Sequence, residues 1–185
     1  MEIGRRKGRH RPTGAPAREL PDQARRQVAA HREGRLHPLA VTDIKFFTHV
    51  DQRLPFACKW TKKAVEAGRR LVVYAPEPGR AEQFDRLLWT FSQLSFVPHV
   101  PAGHALAAET PVVIAASDEE SLLPPPSMRD TLLNLSDAVP PWFASFAALR
   151  EIVSAGGEDR PLGRERYKHY QSLGYTVASE NRAGK

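Results

Sequence analysis

The chain has 185 residues, is 41% hydrophobic and carries a formal net charge of +6. That length and apolar content suffice for one domain with a real core, and no run of about 18 apolar residues is present to span a membrane. Cys58 is the only cysteine, which excludes an internal disulfide and a cysteine-based zinc cluster. The basic N-terminus lacks the apolar segment of a secretory signal, and these features together suit the cytoplasm.

The charge is unevenly placed. Residues 1–40 hold ten Lys/Arg and four Asp/Glu, a net of +6, whereas 41–185 hold seventeen of each. The basic excess therefore describes one end of the chain and not a globular surface. Residues 1–41 are poor in large apolar side chains and show no sustained period, so they are expected to form a disordered basic N-terminal tail. Within it, "LPDQARRQVAAHRE" could make a short helix. Such a tail either touches nucleic acid electrostatically or is a functionless extension, including one from a misassigned start.

From residue 42 the punctuation becomes regular. "DIKFFTHV" (43–50) reads as a strand, followed by a helix with Pro55 in its first turn and Gly68 just past its end. "RLVVYA" (70–75) is a short apolar run suited to a strand buried on both faces. A second helix follows Pro78, with apolar positions at 84, 87, 88 and 91. "TPVVIAAS" (110–117) is another buried strand, and the proline-rich segment 118–127 is expected to be an exposed, extended loop. "DTLLNLS" (130–136) and "LREIVSA" (149–155) complete the strands, and a last helix is expected over 161–173. Alternating strands and helices predict an α/β fold with a mostly parallel sheet covered on both faces. The domain is placed at 42–177, with a short C-terminal tail at 178–185.

An α/β sheet invites a nucleotide, but the phosphate motifs are missing. There is no GxxxxGK[ST] and no GxGxxG after the first two strands. Gly156-Gly157 leads into Glu158-Asp159, which would repel a pyrophosphate, and no GxSxG elbow is present. His99 and His104 lie in a loop without neighbouring carboxylates, a poor metal site. Cys58 beside Lys59 could be an activated thiol, but a small buried core residue is the simpler reading. The expectation is a protein with no catalytic residues, no metal and no cofactor.

Two helices place aromatics away from their apolar stripe. Trp89 falls about 150° from the centre of the Phe84/Leu87/Leu88/Phe91 sector. Either another segment of the chain, such as "LSFVPH", covers it, or it anchors a partner. In the last helix Leu162, Tyr170 and Leu173 should face the sheet, while Arg160, Arg164, Tyr167, Lys168 and Gln171 share the outer side. An ordinary solvated face is the bland alternative. Against it, the cations begin at the helix N-terminus, where the dipole disfavours them, and a tyrosine sits among them. Cations around an aromatic suit an anion that also carries an apolar group. Arg166 turns inward and could pair with Glu151 or Glu165.

The segments "RLLWTFSQLSFVPH", "LLNLSD" and "GRERYKHYQSLGY" give the chain a resemblance to the chi subunit of bacterial DNA polymerase III, over about residues 43–177. The resemblance implies a Rossmann-like three-layer fold with no nucleotide site and a non-catalytic accessory role in DNA replication. It implies two partners: the psi subunit of the clamp loader, and the acidic, phenylalanine-terminated C-terminal tail of single-stranded-DNA-binding protein. By the same resemblance Arg164, Tyr167 and Lys168 belong to the tail site. Arg160 keeps the charge of a family lysine there, and Gln171 stands where the family often has arginine. Trp89 and Phe96 match aromatics of the psi side. A different reading keeps the chain as a direct nucleic-acid-binding module that uses the basic tail and the last helix.

Overall fold

The computed structural model describes residues 42–93 and 96–184; the basic tail at 1–41 and the short helix read within it lie outside the described residues. In chain order the elements are β1 (Asp43–Val50), α1 (Arg53–Glu66), β2 (Leu71–Tyr74), α2 (Arg80–Thr90), β3 (His99–Pro101), β4 (Val112–Ala115), β5 (Thr131–Asn134), β6 (Ala148–Ser154), α3 (Asp159–Ser172) and β7 (Val177–Asn181). The seven strands form one sheet in the order β3-β4-β2-β5-β6-β1-β7, and every pairing is parallel. A parallel sheet needs cover on both faces, so its central strands are apolar without alternation. All four residues of β2 (LVVY) and of β4 (VVIA) are buried.

The cover is divided between two apolar cores. On one face α1 and α2 contribute Ala57, Cys58, Ala64, Phe84 and Leu88 against Phe47, Val73, Ile114 and Leu133 of the sheet. On the other face, Tyr170 of α3 joins Trp142, Phe143 and Phe146 from the β5–β6 connection, packed against Ile44, Phe46, Leu132 and Leu149. The result is the three-layer α/β architecture read from the sequence. Gly68 (φ +77°) and Gly174 (φ +87°) each adopt the left-handed conformation just past α1 and α3, the position assigned to both.

Four details differ from expectation. β3 was not anticipated; its three residues pair only with β4 at one edge of the sheet. The C-terminal tail at 178–185 is not a tail at its start, because Ala178–Asn181 belong to β7 and run parallel to β1, with Ile44 opposite Val177 and Thr48 opposite Asn181. The segment 118–127 is not extended: it contains 3-10 turns at Glu120–Leu122 and Pro126–Met128, with Leu123 buried between them. Leu173 is 53% exposed and does not face the sheet. Helix α3 stops at Ser172, and the turn into Gly174 carries Leu173 off the apolar stripe.

Strand β1 carries one irregularity that shapes its surroundings. Its register with β6 shifts between Phe47 and Val50, and His49 sits at φ +59°. An inserted residue in a strand reverses the facing of whatever follows. Phe47 and Val50 accordingly both pack on the α1/α2 side, while Thr48 and His49 both open toward α3.

Candidate functional site

The residues singled out on the last helix divide into two groups. Arg160, Gly163, Arg164 and Tyr167 line a recess between α3 and the carboxyl ends of β1 and β6, completed by Phe46, Thr48, His49, Val153 and Ser154. Lys168 and Gln171 are exposed on the same helix but do not line the recess. The recess encloses about 150 Å³, smaller than the ~300–1,000 Å³ of ordinary small-molecule pockets. That is space for one side chain, not for a nucleotide.

Its shape follows from close packing of α3. A Cβ on Gly163 would lie 2.7 Å from Cγ2 of Val153, so only glycine lets the helix come this near β6. The ring of Tyr167 stands edge-on to Phe46, with centroids 5.4 Å apart, and its hydroxyl lies 3.5 Å from the carbonyl oxygen of Val177. Phe46 is 2% exposed and forms the floor. Thr48 reaches the rim by alternation from Phe46, the β1 irregularity brings His49 beside it, and His49 Nδ1 lies 3.2 Å from Thr48 Oγ1. Neither residue was anticipated from the sequence: Thr48 follows Phe46 on the same face by alternation, whereas His49 depends on the extra residue in β1.

Arg160 and Arg164 are both exposed, and neither forms an ion pair among the described residues. Most other arginines of the domain are committed: Arg53 and Arg80 to Asp137, Arg129 to Glu120, Arg150 to Asp43. Two arginines four apart on a helix share one face, about 6 Å apart along the axis. Beside an apolar recess they can hold a carboxylate through paired N–H donors while a ring fills the cavity.

A buried polar network fixes α3 in this position. Arg166 Nε donates to Glu151 Oε2 at 2.9 Å, which settles its partner as Glu151 and not Glu165. Tyr170 donates its hydroxyl to Glu151 Oε1 at 2.7 Å, and Asn134 Nδ2 donates to the same oxygen at 2.9 Å. Arg166 Nη1 also donates to the carbonyl of Asp137 at 2.9 Å. Burial, with the negative charge of Glu151 next, raises the Tyr170 hydroxyl well above its ordinary pKa. Glu151 therefore acts as the buried acceptor to which the inner side of α3 is tied. Glu151 is 0% exposed in β6; it was one of the two partners expected for the inward-turning Arg166.

The second candidate surface lies on α2. Trp89 is 54% exposed and Phe96 69% exposed. Phe96 does come back toward Trp89, with ring centroids 5.4 Å apart, but leaves it open to solvent. Trp89 also meets the His99 ring in a tilted contact at 4.9 Å, and His99 Nε2 lies 3.1 Å from Asp85 Oδ1. The downstream segment touches Trp89 without covering it, and the pair together forms an exposed aromatic patch.

No three His, Cys, Asp or Glu side chains converge as metal ligands among the described residues, and no helix there is long and apolar enough to cross a membrane. Cys58 is fully buried, and burial pushes its thiol up to about 12, as suits a core residue.

Comparison with known proteins agrees with the motifs. The family model described as "DNA polymerase III chi subunit, HolC" matches residues 41–178. A DNA polymerase III subunit chi of Pseudomonas aeruginosa is 28% identical over 125 residues, covering 68% of this chain and 83% of that protein. The subunit chi of Haemophilus influenzae is 27% identical over 125 residues, covering 68% and 84%. That of Escherichia coli K12 is 28% identical over 120 residues, covering 65% and 79%. The chain belongs to the DNA polymerase III chi subunit family, accessory subunits in DNA replication.

Proposed function

We propose that the protein is a non-catalytic adaptor of the DNA polymerase III holoenzyme. It links the clamp loader, through psi, to the acidic C-terminal tail of single-stranded-DNA-binding protein. The observation that carries this reading is the pair of uncommitted arginines, Arg160 and Arg164, at the mouth of a recess walled by Tyr167 and floored by Phe46. A tail ending in acidic residues and phenylalanine offers carboxylates for the guanidiniums and a ring for the recess. Lys168 and Gln171 flank the path of the tail without entering the recess; Lys168 contributes electrostatic attraction and the neutral Gln171 an amide for hydrogen bonding. The aromatic pair Trp89 and Phe96 is the psi-facing anchor, since exposed tryptophans of this kind dominate binding at protein interfaces.

A short flexible tail loses conformational freedom on binding, so a single tail is held weakly to moderately. Several tails on one single-stranded-DNA-binding protein oligomer then strengthen attachment through effective concentration. The test is calorimetric titration of a synthetic tail peptide into the full chain and into Arg164→Ala. Loss of a charge-assisted hydrogen bond of about 1.5–3 kcal/mol is expected to weaken binding at least tenfold. No response of the wild-type chain to the peptide overturns the reading.

A further inference from the structure

A second concavity lies on the opposite face of the sheet, where α1 meets the carboxyl ends of β1 and β7. It encloses about 480 Å³ and is lined chiefly by Asp51, Phe56, Lys59, Trp60, Lys63 and Arg182. It shares no residue with the recess beside α3. The carboxyl ends of parallel strands are where open α/β sheets hold ligands, and here the groove combines cations with two aromatic side chains.

The chemistry of its cations differs from that of the recess. Arg182 is already engaged: its guanidinium lies 5.3 Å and 5.7 Å from the ring centroids of Phe47 and Phe56, and its Nη2 lies 2.8 Å from Glu180. The uncommitted cations are lysines. Lys59 and Lys63 are exposed, and neither forms an ion pair among the described residues. They stand four apart on α1, about 6 Å along the axis, with the half-buried Trp60 between them in the chain. Lysines act as unoriented point charges and suit phosphates, whereas paired recognition of a carboxylate favours arginine. A groove three times the volume of the recess also has room for a base and its sugar.

We infer that this groove is a site for a short stretch of single-stranded nucleic acid, with Lys59 and Lys63 meeting successive phosphates and Trp60 offering its ring to a base. Positive charge along a groove with an aromatic platform is how sequence-tolerant single-strand binding is built. The inference is independent of the proposed tail site.

The experiment is fluorescence anisotropy of a labelled oligothymidylate titrated with the full chain at 50 mM and higher salt. Residues 1–41 are present in every sample, so their contribution is common to all. The variant K59E/K63E is expected to weaken binding at least tenfold. In K59A/K63A the salt slope is expected to fall by about 1.4, two contacts at ~0.7 each. Trp60→Ala is expected to cost about tenfold. Because Trp60 also packs on Phe47, the exposed lysine variants carry the result if Trp60→Ala does not fold. Photocross-linking with iodouracil-substituted oligonucleotide is expected to mark peptides spanning 53–66 or Arg182. Equal affinity of K59E/K63E and wild type, absence of binding, or cross-links elsewhere overturns the inference.

Discussion

Arg166 and Glu151 form an ion pair closed to water: their side chains are 2% and 0% exposed, and Nε lies 2.9 Å from Oε2. The pair ties the inner side of α3 to β6, while Arg160 and Arg164 stand on the outer side. Removing only the arginine leaves a buried carboxylate with two neutral donors. Arg166→Met is therefore expected to lower stability by about 3–5 kcal/mol. The double variant Arg166→Met/Glu151→Leu should lose less than the sum of its parts. Urea unfolding of the three variants, read as a double-mutant cycle, checks this.

Gly163→Ala tests how closely α3 must sit. The new methyl would meet Val153 at 2.7 Å and 3.0 Å, and neither atom can withdraw without disturbing β6. Overpacking of this kind costs about 1–3 kcal/mol, against a gain of about 1 kcal/mol in helix propensity. The expected outcome is a net loss of stability together with weaker tail-peptide binding. Thermal unfolding and peptide titration of the same sample report both.

Asp137 gives the domain an acid-sensitive joint. Burial alone would push its carboxyl up, but hydrogen bonds from Arg80 and Arg53 outweigh this and hold it below its ordinary value of 3.8. A depressed carboxyl contributes stability above its unfolded-state value, and that contribution is lost as pH falls through the folded-state value. Because the side chain is 39% exposed, solvent screening limits the effect to about 1 kcal/mol. Asp137→Asn is expected to be less stable than wild type at pH 7, with the gap closing below pH 3.8. Denaturant midpoints from pH 7 to pH 2.5 check it.

Cys58 is expected to resist thiol reagents in the folded protein, since burial raises it to about 12 and only the thiolate reacts. At pH 8 its modification should track unfolding, with a rate that rises with urea.

Trp89→Ala is expected to change the melting temperature by no more than about 2 °C, because over half of the side chain already faces solvent and exposed positions contribute within about 0.5 kcal/mol. Under the proposed function the same substitution weakens psi binding. A pulldown with purified psi, alongside the melting curve, separates an anchor from a core residue.

Much of this architecture is readable without coordinates where one physical signal dominates. The all-apolar runs of β2 and β4, the stripe on α2 and the glycines closing α1 and α3 each announce their element. The parts that escape reading lack such a signal. β7 (VASEN) is a polar edge strand, paired with β1 alone, and nothing in its composition distinguishes it from a tail. β3 is three residues long. In the site, Arg160, Arg164 and Tyr167 follow from helical spacing and Thr48 from the alternation through Phe46, whereas His49 depends on a backbone irregularity that no side-chain pattern encodes. Leu173 was misplaced by extending a periodic pattern one residue beyond the end of its helix. Lys59 stands out in the sequence only as the neighbour of Cys58, and Trp60 and Lys63 only as helix residues, because Arg182, which closes their groove, follows a strand that its composition does not announce.

The position of β1 also constrains how the protein is made. It is the first strand of the sheet, yet both its neighbours, β6 and β7, are the last two. Thr42 hydrogen-bonds the carbonyl of Phe146, 104 residues downstream. At ~5–20 residues per second, Phe46 and Phe47 emerge from the ribosome on the order of 5–20 s before anything can pair with them. Strands β2, β4 and β5 can associate in the meantime, so the growing chain can assemble the middle of its sheet first. Its earliest strand enters last, and with it come the residues that join the two binding faces.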